Sequence, residues 1–199
     1  MTKSVDYYLA PVSPWTYLGH DRFVSLLASH DATCRIFPID LGKLFPVSGG
    51  LPLAKRAPQR QAYRIVELER WSAWLKMPIR VTPKFVASSG DLASRWILAA
   101  ATGNAAAGLA MAGGVLRARW AEERDIADPA TLRTISDGLG LDGAAIAARA
   151  DGPGVAAEYE AATQRAIDAQ VFGVPWYVYR GEPFWGQDRL DFLARALSK

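Results

Sequence analysis

Cysteine is nearly absent from this chain of 199 residues: Cys34 stands alone, which excludes an internal disulfide, a CxxC redox pair and a cysteine-built zinc site. Histidine is almost as scarce. With only His20 and His30, a histidine-rich metal centre is disfavoured, and no metal is expected. No run approaches the ~18 apolar residues that cross a bilayer. The opening MTKSVDYYLAP has neither an apolar signal core nor a small-residue cleavage site. Both absences point away from membranes and secretion and towards a cytoplasmic protein. Acidic residues are short in one stretch, since between Lys43 and Lys84 nine Lys and Arg face only Glu67 and Glu69. That stretch lacks the aromatic and glycine patterning of a nucleic-acid module, so no nucleic-acid partner is expected. Its charge suits a small anionic ligand or a solvated helix face.

What remains is ordinary for a folded protein. Half the residues are apolar, 22% are charged and the net charge is +3, with a mean hydropathy of +0.01 and a pI near 9.1. The length fits one domain, or one domain carrying a large insertion. Residues 4–10 alternate β-forming residues and read as a strand that ends at Pro11. Ser13-Pro14 supplies a capping hydroxyl and a proline at the first helical position, opening a helix to about Ser29. Thr33–Ile39 completes a βαβ unit.

After Asp40 helical patterns replace strands for more than a hundred residues. Helices are predicted over Pro58–Lys76, with Ile65, Leu68 and Leu75 on one side, then over Asp91–Thr102 and Ala105–Glu123, and from the Asp128-Pro129 and Asp142 caps. A helix around Val155–Val171 should stop at Gly173. A strand from Val174 to Tyr179, a turn at Arg180-Gly181, a strand over Glu182–Trp185 and a last helix capped by Asp188 follow. The expected fold class is α/β: a thioredoxin-like order, βαβ then αββα, with a large all-helical insertion. The corresponding division is 1–42 and 153–199 for the thioredoxin-like part and 43–152 for the insertion.

Three segments stand out for chemistry: Ser13-Pro14-Trp15-Thr16, Val174-Pro175 and Trp185-Gly186-Gln187-Asp188. Ser13 and Asp188 read equally well as plain helix caps, and Pro175 as a trans proline opening a strand. In a thioredoxin fold, though, these segments meet on one edge of the sheet. A helix N-terminus beside a hydroxyl donor there favours an anion such as a thiolate.

SPWTYLG at 13–19, Ile39-Asp40-Leu41, the Tyr63–Trp71 helix with its Glu69-Arg70-Trp71, Val171–Pro175 and FWGQDRL at 184–190 together resemble the 2-hydroxychromene-2-carboxylate isomerases. These lie within the kappa-class glutathione transferases and the disulfide-bond oxidoreductase branch of the thioredoxin superfamily. The likeness covers nearly the whole chain.

The resemblance implies glutathione as cofactor, Ser13 as the catalytic residue stabilising its thiolate, and a cis Val174-Pro175 bond presenting backbone to the peptide. It places Ser13, Val174, Pro175, Trp185, Gly186, Gln187 and Asp188 around glutathione, with Asp188 at the γ-glutamyl end. It sets Lys43, Lys55, Arg56 and Phe85 around a small aromatic carboxylate substrate, and implies a homodimer. With Ser13 and Thr16 where a CxxC pair would stand, no dithiol–disulfide activity is expected. One departure stands out, because Leu51–Arg56 replaces the asparagine common in the isomerases' loop before the long helix. A kappa-type transferase or peroxidase, or a glutathione-binding module without turnover, are the alternatives.

Overall fold

The computed structural model describes residues 3–199. Strand β1 (Lys3–Leu9), helix α1 (Pro14–Ser29) and strand β2 (Ala32–Pro38) form the expected βαβ unit, with β1 and β2 parallel and Asp6 opposite Arg35. Those two side chains form a bidentate ion pair at 2.6 and 2.7 Å. Strands β3 (Trp176–Tyr179) and β4 (Glu182–Trp185) add antiparallel, giving the mixed order β2-β1-β3-β4. The hairpin closes on Arg180 and Gly181 with φ of 52° and 81°, the paired left-handed residues that match strand twist.

Both faces of the sheet are covered. Val5, Tyr7 and Leu9 are fully buried in one cluster with Phe23 of α1 and with Trp96, Ile97, Met111 and Val115. The latter four belong to α4 (Asp91–Ala101) and α5 (Ala105–Trp120), so residues from the 43–152 segment share a core with the strands. Tyr8 and Ala10 turn to the other face, against Leu44, Ala166 and Trp176. Leu44 sits on α2 (Leu41–Ser48) and Ala166 on α8 (Pro153–Asp168). A third cluster joins Tyr17 and Leu18 of α1 to Leu68 of α3 (Pro58–Leu75) and to Leu116 and Trp120 of α5. Helices α6 (Pro129–Gly138) and α7 (Gly143–Ala150) start at Asp128 and Asp142, whose carboxylates accept backbone N–H groups. Among the described residues no helix is long and apolar enough to cross a membrane.

The structure departs from the sequence reading in four places. Helix α2 was not expected; Asp40 caps it through the Gly42 N–H at 2.7 Å. Ile65 does not face inward, being 39% exposed, while Leu68 is fully buried; the inner face of α3 is rotated to carry Arg64, Leu68, Trp71 and Leu75. Gly173 does not end α8, because the chain leaves the helix earlier and Gln170 takes the left-handed conformation at φ 57°. Asp188 does not cap the last helix, α9 (Leu190–Leu197). A single 3-10 turn, Gln187–Arg189, intervenes, so the residue before α9 is Arg189 and makes no side-chain cap.

Candidate active site

Ser13 precedes α1 in extended conformation, and Pro14 occupies the first helical position, where its missing N–H is no loss. The Ser13 hydroxyl accepts the Thr16 N–H at 3.2 Å and donates to the Val174 carbonyl oxygen at 3.4 Å. The cap and the loop before β3 are therefore joined through one oxygen. The Val174-Pro175 bond is cis. Pro175 in turn accepts the Gly186 N–H at 2.9 Å, which ties the end of β4 to the same loop. Three segments from distant parts of the sequence thus converge on α1's N-terminus.

Helix α1 also seats the turn that follows β4. Arg22 donates to both the backbone oxygen and the side-chain oxygen of Gln187, at 3.1 and 2.8 Å. Gln187 lies so close to α1 that a Cβ on Gly19 would stand 2.7 Å from the Gln187 Cβ. Buried in this way, the Gln187 carboxamide faces Arg22. Asp188 is partly exposed and pairs with Arg189 at 2.8 Å. Gly186, at φ 102°, leaves room for that carboxylate, which a Cβ would meet at 2.5 Å.

An aromatic wall borders the loop. The Trp185 indole covers Gly173, where a Cβ would come within 2.9 Å of its Nε1. A larger residue at 173 would push the indole away. Phe172 packs edge-on to Trp185 at 4.6 Å and to Trp176 at 4.8 Å. Trp185 and Phe172 keep 51% and 41% of their surface exposed, so the wall has an open face.

The residues expected around an aromatic carboxylate are placed differently from one another. Lys43 is ion-paired with Glu160 on the surface, a pair weak enough to be exchanged for a ligand's anion. Lys55 lies exposed on a 3-10 turn over Leu53–Lys55. Arg56 folds back, its Nε donating to the Leu51 carbonyl at 2.8 Å. Burial, then Arg60 nearby, pushes the Arg56 guanidinium below its ordinary range. Phe85 is half-buried with Lys84 Nζ 5.4 Å from its ring centroid.

Arg64 escaped the sequence reading. It is half-buried on the inner side of α3, burial and then Arg56 depress it, and it forms no ion pair among the described residues. A cation at an apolar-face position is the signal that would have found it. Arg60 stands near Arg56 and Arg56 near Arg64, and none of the three forms an ion pair among the described residues.

Sulfur chemistry has little place within the chain. Cys34 is 6% exposed in the core, and burial, with Asp6 nearby, pushes its thiol up to about 12. It is a thiol, not a thiolate, at neutral pH. The Thr16 hydroxyl is buried and without a partner among the described residues. No group of His, Cys, Asp and Glu among the described residues could hold a metal ion.

The fold and this edge of the sheet define a thioredoxin-type protein with two hydroxyls, those of Ser13 and Thr16, at the start of α1. The chain belongs to the DsbA-like thioredoxin domain family, which it matches over residues 4–198. It is similar to a 2-hydroxychromene-2-carboxylate isomerase from Sphingobium xenophagum, 28% identical over 194 residues and 97% of each chain. The solved structure of a 2-hydroxychromene-2-carboxylate isomerase superposes with a TM-score of 0.84 at 28% identity, over 98% of this chain and 94% of that one. A probable DsbA oxidoreductase from Streptomyces coelicolor shares the fold, with a TM-score of 0.76 at 20% identity over 98% and 88% of the two chains.

Proposed function

We propose that the chain is a glutathione-dependent isomerase that interconverts 2-hydroxychromene-2-carboxylate and trans-o-hydroxybenzylidenepyruvate, or a closely related intermediate of aromatic breakdown. The observation that carries it is the Ser13 hydroxyl, held at the N-terminus of α1 against Val174 in a site without sulfur of its own. The names of the full-length relatives support the reaction class.

The donor set fits a tripeptide thiol. A helix N-terminus with a hydroxyl suits the sulfur, the backbone around Val174 and Pro175 suits an extended peptide, and Asp188 suits an ammonium group. The Arg56, Arg60 and Arg64 patch suits carboxylates. When bound, glutathione supplies a thiolate that adds reversibly to the conjugated substrate, so that a double bond becomes a single bond before the sulfur leaves unchanged.

The chain's own work is electrostatic. Ser13 turns its proton from the Val174 carbonyl towards the anion, and the N-terminal end of α1, where the Trp15 N–H has no partner among the described residues, adds its partial positive charge. The backbone donor is fixed and needs no reorganisation when charge shifts, whereas the hydroxyl exchanges one acceptor for another. Arg64 holds the substrate carboxylate, and the half-buried Phe85 faces the ring system.

An absorbance assay of the equilibration between the two acids, run with and without glutathione, tests the proposal. Turnover should require glutathione at catalytic level and leave its concentration unchanged. Stoichiometric loss of glutathione would make the protein a kappa-type transferase, and binding without turnover would make it a glutathione-binding module.

A further inference from the structure

Arg119 lies on α5, 3% exposed. A buried guanidinium is expensive unless its donors are met, and a carboxylate is the usual partner. Arg119 has none among the described residues. Its Nη2 donates instead to the Val86 carbonyl at 2.9 Å, and its Nη1 to the Ser88 carbonyl at 3.3 Å. Its Nε finds no partner among the described residues. Both acceptors belong to the segment 77–90 between α3 and α4, which forms neither helix nor strand. The guanidinium also lies 5.5 Å from the Trp120 ring centroid and Asp125 is near enough to favour its charge, but of its contacts only the two carbonyl bonds reach the segment.

The position of the segment gives this contact its meaning. At its far end Gly90 rests on Val12 and Pro11, where a Cβ would be 3.1 Å from Val12 Cγ1. Ser13 follows directly. The next residue of α5, Trp120, donates its indole N–H to the Pro11 carbonyl at 3.3 Å, and its own carbonyl accepts the Arg80 N–H at 2.6 Å. Neighbouring residues on one helix therefore hold the loop before Ser13 and the segment carrying Phe85.

We infer that Arg119 is a positioning residue, holding the Phe85 segment against the Pro11–Val12 loop and so setting the wall that meets the second substrate. The substrate arm of this inference rests on the function proposed above; the position of the segment does not.

The test compares the wild type with Arg119→Met and Arg119→Lys by limited trypsin digestion, followed by mass spectrometry for cleavage after Lys84. Cleavage should accelerate by about tenfold or more in Arg119→Met, because proteolysis follows local opening. It should be intermediate in Arg119→Lys, which keeps one charged donor. The melting temperature of Arg119→Met should change little, because removal of a buried charge and loss of its hydrogen bonds to two carbonyls oppose one another. Glutathione affinity should stay within twofold of wild type, while KM for 2-hydroxychromene-2-carboxylate rises more than kcat falls.

Cleavage after Lys84 at the wild-type rate in folded Arg119→Met would overturn the inference. So would a variant that does not fold, or a joint fall in melting temperature and glutathione affinity, because Arg119 would then support the whole core. An inactive wild type would remove the isomerase reading alone, and the cleavage rates would still decide the role of Arg119.

Discussion

The Ser13 hydroxyl donates to the carbonyl oxygen of Val174, 161 residues away in the sequence, at 3.4 Å. One hydrogen bond thus joins the start of α1 to the cis-proline loop, and the same oxygen caps the helix through Thr16. The hydroxyl has two tasks that mutation separates. Ser13→Ala should lower kcat by roughly 10²–10³, the scale for losing one donor to a resident anion, and should lower stability by ~1 kcal/mol through loss of the cap. Ser13→Cys should not restore turnover, because a thiol is a weak donor and can form a mixed disulfide with glutathione. Steady-state kinetics and urea unfolding of both variants check this, and full activity in Ser13→Ala would reduce Ser13 to a helix cap.

Asp188 is held by Arg189 on the protein surface, and such exposed pairs are weak enough to be exchanged for a ligand's ammonium group. Asp188→Ala should weaken glutathione binding more than S-methylation of glutathione does, since methylation leaves the γ-glutamyl end untouched. Calorimetric titration with both ligands measures the difference. Equal glutathione affinity in wild type and variant would take Asp188 out of the site.

Arg64 has a charge and no internal partner among the described residues. Hydrogen bonds to charged groups are worth about 1.5–3 kcal/mol, so Arg64→Gln should raise KM for the carboxylate substrate by roughly 10- to 100-fold. Stability should change little or improve, because a half-buried cation is removed. An unchanged KM would assign the patch to ordinary surface charge.

The parts of this molecule legible in its sequence are those set by local chemistry. Ser13 before Pro14 and Asp128 before Pro129 mark helix starts because a short polar side chain and a fixed φ act within one turn. The βαβ unit and the hairpin at Arg180-Gly181 were legible for the same reason. Helix α2 was hidden because it is short and contains Pro46. Asp188 and Gly173 misled because their roles come from tertiary contacts: the first sits in a 3-10 turn clamped by Arg22 through Gln187, and the second lies under Trp185. Arg64 and Arg119 were missed because apolar periodicity is read from the hydrophobic residues of the inward face, and a cation interrupting that face is passed over.

Gly19 tests how the site turn is seated. A methyl group there would stand 2.7 Å from the Gln187 Cβ and 3.3 Å from its Cα, and neither atom is the flexible end of a side chain. Gly19→Ala should therefore destabilise the fold by ~1–3 kcal/mol, the range for overpacking, despite alanine's better helix propensity. It should also weaken glutathione binding, because the Gln187 turn carries Asp188. Denaturant unfolding and titration check both effects. A stabilised variant with normal binding would show that the turn moves freely on α1.

His20 gives the pH dependence. Its Nε2 lies 3.0 Å from the Leu109 carbonyl oxygen, which can only accept, so Nε2 carries the proton and Nδ1 accepts from the Tyr7 hydroxyl at 3.2 Å. The ring is 2% exposed. Burial lowers its pKa, against opposing effects from Asp21 and the Leu109 carbonyl. The unfolded chain thus binds a proton at about pH 6.5 while the folded chain still resists it. Stability contributed by this neutral histidine is fully present above the unfolded pKa and falls as pH drops below it, levelling only beneath the folded pKa. Urea midpoints should therefore decline from pH 7.5 to pH 5, and part of that decline should vanish in His20→Gln, whose side chain does not titrate. An identical slope in wild type and variant would assign the acid sensitivity to other groups.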